Sequence, residues 1–143
     1  MPEAIEVCVF VGLLVAILRY VRDPLVLSSI TEHRAYAVKN SARDNTWTDS
    51  AALGKALINV FQYGKTAVLV FEGGVSLIIN FGQGAYATTA WESELATDPV
   101  LSSAEGSQCV CALRFAGFPR LVIIHGCNTS FAAQVATCLC ATE

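Results

Sequence analysis

Apolar and polar positions divide the chain into three stretches with different periods. Residues 7–18 carry no polar side chain and form the longest such run in the sequence. Within Ser50–Tyr63 apolar side chains recur every three or four residues, as in an amphipathic helix, and Gly64 is a typical helix stop. From Lys65 onward the period shortens to two, which is typical of β-strands.

The fold class predicted from these periods is α+β. An apolar N-terminal helix comes first, then a polar and amphipathic helical region, then a β-rich C-terminal domain of about five antiparallel strands. The strand-like runs alternate in polarity between glycine or polar boundaries, and they cover 66–71, 75–81, 85–91, 108–115 and 120–125. Residues 131–140 are expected to close the chain as a strand or a short helix.

The predicted domain organisation is a helix followed by one globular unit. Residues 1–24 form the apolar helix, which Pro24 ends or kinks. Residues 25–143 form a single domain that is helical over 28–63 and β-rich over 65–143.

Composition sharpens the question of what buries the apolar run. Apolar residues make up 54% of the chain and charged residues only 15%, against about 25% charged in an ordinary soluble domain. The surplus of apolar surface predicts contact with lipid, with partner subunits or with copies of the same chain. Glu6 precedes the run and Arg19 follows it, as at the two edges of a membrane or subunit interface. The alternative is an ordinary core helix within the same domain.

The charge of the sequence does not favour a nucleic-acid partner. The net charge is −3, and the nine lysines and arginines are scattered, without interleaved aromatic residues. The prediction is therefore self-association or membrane-complex subunits as partners, without nucleic acid. No cofactor, metal or catalytic residue is assigned.

The order of these features resembles a type IV pilin or pseudopilin. The resemblance rests on Ile5-Glu6-Val7, the run to Leu18, Pro24 and the cysteines after position 108. It implies a non-catalytic structural subunit, membrane-anchored or in an extracellular filament, with a cytoplasmic location as the alternative. In that family the glutamate pairs with the terminal amine of a neighbouring subunit and the apolar helices bundle in the filament core. The implied assembly residues are Glu6, Val9, Phe10, Leu13, Leu14 and Ile17.

Cysteines give a second signal in the C-terminal third. Cys8 is expected to pack as a small apolar side chain. The other five are candidates for disulfides, and they are Cys109, Cys111, Cys127, Cys138 and Cys140. Reduced buried thiols are one alternative, and a zinc site that includes His125 and Cys127 is another.

Two local resemblances keep an enzymatic alternative open. The segment 81–88 is similar to the glycine–tyrosine segment of ADP-ribosyltransferases, which implies a nicotinamide pocket at Gly82, Gly84 and Tyr86. There Tyr86 would stack on the nicotinamide ring. The segment 120–129 resembles the nucleophile strand of caspase-like proteases, which would make Cys127 a nucleophile in need of a histidine base.

Overall fold

The computed structural model describes residues 2–32, 51–81, 85–94, 109–125 and 132–137. These residues form one α-helix, α1 (Pro2–Tyr20), a short 3-10 helix (Glu92–Glu94) and eight strands. The strands are β1 (Val26–Glu32), β2 (Leu57–Tyr63), β3 (Thr66–Phe71), β4 (Val75–Asn80), β5 (Tyr86–Trp91), β6 (Cys109–Ala116), β7 (Arg120–His125) and β8 (Ala132–Thr137).

The strands form two four-stranded sheets in which every pair is antiparallel. Sheet A has the order β1-β6-β7-β5, and sheet B has the order β2-β3-β4-β8. Alternate side chains of β3 and β4 are buried, as expected when one face of a sheet packs on a core. Both sheets contribute to the main buried cluster, which gives a β-sandwich. A second, smaller cluster of Ala112, Leu121 and Ile123 lies on the outer face of sheet A.

Helix α1 packs into this same core. It contacts β2 and β3 of sheet B and β5 of sheet A. Its buried side chains recur at helical spacing, and they are Val7, Phe10, Leu14 and Ile17. The Phe10 ring lies 5.1 Å from the Phe81 ring, between centroids. The helix therefore closes the space between the sheets.

The prediction that the apolar run is buried by lipid or by other subunits is wrong for this face of the helix. The apolar side chains of the run are buried against strands of the same chain, because α1 packs against β2, β3 and β5. None of the helices formed by the described residues is long and apolar enough to cross a bilayer.

The α+β class with a helical region over 28–63 is also wrong. Ser28 and its neighbours lie in β1, and Leu57–Tyr63 forms β2, which pairs with β3. A β-bulge between Leu57 and Asn59 shifts the register of β2, so its apolar spacing imitates that of a helix. The polar stretch 33–50 lies outside the described residues.

Candidate functional site

The sandwich has two ends that differ in chemistry. At one end, called here the Lys65 end, sheet B contributes the β2–β3 turn and the end of β4, and sheet A contributes the start of β5 and the end of β7. The bridge between Val26 and Ala56 joins the two sheets at the opposite end. The described residues of the Lys65 end include Tyr63, Lys65, Asn80, Phe81, Tyr86 and His125. The opposite Arg120 end includes Lys55, the β3–β4 turn, Trp91, Glu92, Arg114 and the β6–β7 turn.

Helix α1 runs from the Lys65 end to the Arg120 end. Phe10 contacts Phe81, which directly follows β4. The last turns of α1 line a cleft of about 400 Å³ with Phe118 and Pro119 of the β6–β7 turn. Glu6 is half-buried and lies one turn before Phe10, in the half of α1 nearer the Lys65 end.

The β2–β3 turn holds Lys65 in a defined backbone position. Gly64 has a φ of 57°, a left-handed conformation that favours glycine. The Gln62 side chain donates a hydrogen bond to the Gly64 carbonyl at 2.8 Å, and Phe81 N–H donates to the Lys65 carbonyl at 3.1 Å. The Lys65 ammonium forms no ion pair with any described residue.

A stacked aromatic pair lies on the outer face of sheet A at this end. Tyr86 and His125 are direct cross-strand partners, and their rings are 4.9 Å apart at an angle of 15°. Thr88 Oγ1 and His125 Nε2 share a hydrogen bond of 2.7 Å. Burial lowers the pKa of His125, so the imidazole is neutral at pH 7. Tyr86 keeps 43% of its surface exposed.

At the Arg120 end the cations of the sheets are engaged with their own chain. The Arg120 guanidinium carbon lies 4.2 Å over the Trp91 ring, and Arg120 Nη1 donates to Thr89 Oγ1 at 3.2 Å. Arg114 pairs with Glu92. A side-chain carbon at Gly73 would meet the Lys55 ammonium at 3.2 Å, so Lys55 lies along the β3–β4 turn.

The helix supplies two further cations at the Arg120 end. Arg19 lies in the last turn of α1, where a cation complements the carbonyl end of the helix. Arg22 is exposed and is followed by Asp23. The cleft beside them is lined by apolar side chains, among them Leu13, Ile17 and Phe118, so it offers few donors to an anionic ligand.

The structure separates the predicted assembly residues. Phe10, Leu14 and Ile17 are buried in the core of their own chain. Val9 is 55% exposed, and Glu6 and Leu13 are half-buried.

The cysteine and nicotinamide candidates lie mostly beyond the described part of the chain. Cys127, Cys138, Cys140, Gly82 and Gly84 lie outside it. Cys109 begins β6, and its side chain is not described. Of the cysteines whose side chains are described, Cys8 is exposed and Cys111 is buried. The pairing of the five candidates stays a prediction. Tyr86 is stacked on His125.

Sequence reasoning missed Lys65 altogether. The signal available was a Gly-Lys dipeptide between two apolar stretches, which marks a turn whose lysine follows a left-handed glycine. The sequence pattern places Lys65 directly after a helix stop, whereas the structure places it in the turn of a β-hairpin.

Comparisons with known proteins give a fold. No family model matches the chain, and no curated protein sequence matches it. Among solved structures, the chain is similar to MutM in complex with DNA that contains carbocyclic 8-oxo-G, with a TM-score of 0.63 and 11% identity over 92% of this chain and 43% of that one. It is also similar to the Lactococcus lactis Fpg, or MutM, in complex with Fapy-dG DNA, with a TM-score of 0.58 and 12% identity over 95% of this chain and 43% of that one.

A further structure is the Lactococcus lactis formamidopyrimidine DNA glycosylase bound non-covalently to DNA with an AP site. Its TM-score is 0.54 at 11% identity, over 80% of this chain and 38% of that one. The chain thus spans less than half the length of these neighbours.

These likenesses overturn the pilin resemblance and what followed from it. The structural-subunit function, the ADP-ribosyltransferase alternative and the membrane-anchored or filament location are wrong, because α1 packs in the core of its own β-sandwich and the chain is similar in fold to MutM and to a formamidopyrimidine DNA glycosylase. The exclusion of a nucleic-acid partner is overturned as well, since the neighbours are complexes with DNA.

Proposed function

We propose that this chain binds DNA at a damaged or missing base, and that it does so through the Lys65 end. The observation that carries the proposal is the likeness of 92% of the chain to MutM in a complex with lesion-containing DNA. Two further neighbours are complexes with AP-site DNA and with Fapy-dG DNA.

The Lys65 end has the two kinds of group that bind DNA without reading its sequence. A lysine that forms no ion pair with the described residues is available to a phosphate. The exposed tyrosines Tyr63 and Tyr86 offer ring surface to bases, with 76% and 43% of their surfaces accessible. At the Arg120 end the strand cations Arg114 and Arg120 already contact their own chain, whereas Lys55, Arg19 and Arg22 form no ion pair with the described residues. Exposed tyrosine rings beside the unpaired lysine therefore favour the Lys65 end.

The charge of the chain sets the expected strength of binding. A net charge of −3 opposes approach to a polyanion. Each phosphate neutralised by a cation contributes about −0.9 to the slope of log affinity against log salt. We therefore expect a shallow salt dependence and a modest affinity for intact duplex, with a clear preference for a lesion.

The test is a titration of fluorescein-labelled duplexes followed by fluorescence anisotropy. One duplex contains a tetrahydrofuran abasic analogue and its control is intact. We expect tighter binding to the lesion duplex, and Lys65→Ala should weaken it about tenfold because a charge-assisted hydrogen bond is lost. Lys65→Ala should also reduce the salt slope by about 1.

Lys55→Ala is the matched control, because Lys55 has the same charge as Lys65, also follows a glycine, and lies at the opposite end of the sandwich. It should leave the affinity unchanged. Wild-type protein that binds neither duplex would refute the proposal. Equal losses in the two lysine variants, or a larger loss in Arg22→Ala, would refute the assignment to the Lys65 end.

A second observation extends the proposal to base excision. Glu6 and Lys65 place a carboxylate and an amine at the same end of the sandwich. Cleavage of a glycosidic bond builds positive charge on the sugar, which a nearby carboxylate stabilises. The neighbour bound to AP-site DNA is a DNA glycosylase.

Base release from a Fapy-dG duplex, scored as strand breaks after alkali, tests this extension. Glu6→Gln should retain the anisotropy-measured affinity and lose base release. Release at the wild-type rate by Glu6→Gln, or no release by the wild-type chain, would contradict the extension and leave the binding proposal to its own test.

A further inference from the structure

The proposed function uses the exposed ring of Tyr86 but not the stacking of that ring on His125. His125 covers one face of the Tyr86 ring, with 4.9 Å between the centroids. Tyr86 nevertheless keeps 43% of its surface exposed. Both side chains project from the outer face of sheet A, from strands that are hydrogen-bonded neighbours.

We propose that the Tyr86–His125 stack is a platform on which an unpaired nucleobase stacks. This inference rests on the proposed function, because it names the part of the DNA that the Lys65 end recognises. Base–aromatic stacking is favourable for every base, since each has a π-face, so the platform requires no hydrogen-bond code.

Pre-organisation supports this role. The hydrogen bond between Thr88 Oγ1 and His125 Nε2 orients the imidazole, and the imidazole in turn fixes the plane of the Tyr86 ring. A ring that is already held in one orientation loses little conformational entropy when a ligand packs on it. A neutral imidazole also adds no charge that stacking would desolvate.

The position of the stack favours a nucleobase over a peptide side chain. Lys65 lies at the same end and is available for a phosphate, whereas an apolar peptide needs no such cation. Lesion sites expose an unpaired base or leave its partner unpaired, and the neighbours of this fold are complexes with such DNA. Unpaired bases cost less to expose than paired ones.

The experiment uses the whole chain and duplexes that contain a single bulged 2-aminopurine, with a fully paired 2-aminopurine duplex as the reference. Anisotropy of an end label gives the affinity, and 2-aminopurine fluorescence reports stacking through quenching. We expect wild type to prefer the bulged duplex and to quench it. Tyr86→Phe should keep both properties because the ring remains.

Tyr86→Ala should lose the preference by about 5- to 150-fold and lose the quenching, with a smaller change in its affinity for the paired duplex. Tyr86→Leu keeps apolar bulk and should behave like Tyr86→Ala. Trp91→Ala, on the same strand at the Arg120 end, should behave like wild type.

Three results would overturn the inference. The first is a preference for the bulged duplex that survives Tyr86→Ala. The second is a Tyr86→Leu variant with the same preference and quenching as Tyr86→Phe, which would indicate an apolar partner. The third is a loss of preference in Trp91→Ala equal to that in Tyr86→Ala. Each of these leaves DNA binding itself in place, whereas a wild-type chain that binds no duplex would remove both this inference and the proposed function.

Discussion

The two ends of the sandwich contain the same dipeptide in different surroundings. Gly54-Lys55 and Gly64-Lys65 each pair a left-handed glycine, with φ of 81° and 57°, with a lysine whose carbonyl accepts a backbone hydrogen bond from another segment. Lys55 then lies along the β3–β4 turn, whereas Lys65 lies at the end that holds the Tyr86–His125 stack.

This difference teaches that the number of cations is a poor guide to binding. Of the cations at the Arg120 end, Arg114 is paired with Glu92 and Arg120 is stacked on Trp91, whereas Lys55, Arg19 and Arg22 form no ion pair with the described residues. A cation already held by its own chain must break that contact before it can contact a ligand. Lys65 requires no such exchange with the described residues.

The largest expected effect concerns the helix that joins the two ends. Phe10 is fully buried and contacts Phe81, so Phe10→Ala should lower the free energy of unfolding by about 3–5 kcal/mol. Val9→Ala, at a position 55% exposed, should change it by less than about 0.5 kcal/mol. Chemical denaturation measures both. Equal effects would show that α1 does not pack as described.

A smaller effect is expected at the Arg120 end. Arg120→Ala removes a cation–π contact of a half-buried guanidinium with the exposed Trp91 ring and should cost about 0.5–1 kcal/mol of stability without changing DNA affinity. Lys65→Ala should do the reverse, with affinity lost and stability unchanged. A common pattern in the two variants would erase the distinction between the ends.

The smallest expected effect is the pH dependence of the Lys65 end. The folded-state pKa of His125 is lowered from 6.5 by burial, so the unfolded chain binds the proton more readily than the folded chain. The stability contributed by neutral His125 is therefore complete above about pH 6.5 and is lost as the pH falls below that value.

His125→Gln should remove this part of the pH dependence. The measurement is the free energy of unfolding of wild type and of His125→Gln from pH 7.5 to pH 5.5. On acidification, the free energy of unfolding of the wild type should fall more than that of His125→Gln. A difference that does not change with pH would mean that burial does not affect this imidazole.

Much of the β-structure follows from local sequence. The predicted runs 66–71 and 120–125 coincide with β3 and β7, and 75–81 exceeds β4 by one residue. Alternation and glycine boundaries are local signals. Gly73 and Gly74 both have left-handed backbone conformations, and they lie in the turn of the β3–β4 hairpin, where such conformations favour glycine. Such segments are specified without reference to the rest of the chain.

The errors arose where distant contacts decide. The spacing of Leu57, Val60 and Phe61 fits a helix, but pairing with β3 and a bulge make it a strand. The apolar run 7–18 has no local sign of which surface covers it, and the two sheets that do so are formed mostly by residues beyond position 56. Tyr86 was a candidate for nicotinamide stacking, while its partner His125 lies 39 residues further along the chain, a pairing that only the sheet reveals.

Hydrogen–deuterium exchange with and without a saturating abasic-analogue duplex tests the central claim most directly. The account predicts slower exchange on DNA binding in peptides that contain Tyr63–Thr66, Asn80–Phe81 and Tyr86. Peptides that contain the β3–β4 and β6–β7 turns should exchange at unchanged rates. Protection confined to those turns, or no protection at either end, would contradict the assignment of DNA binding to the Lys65 end.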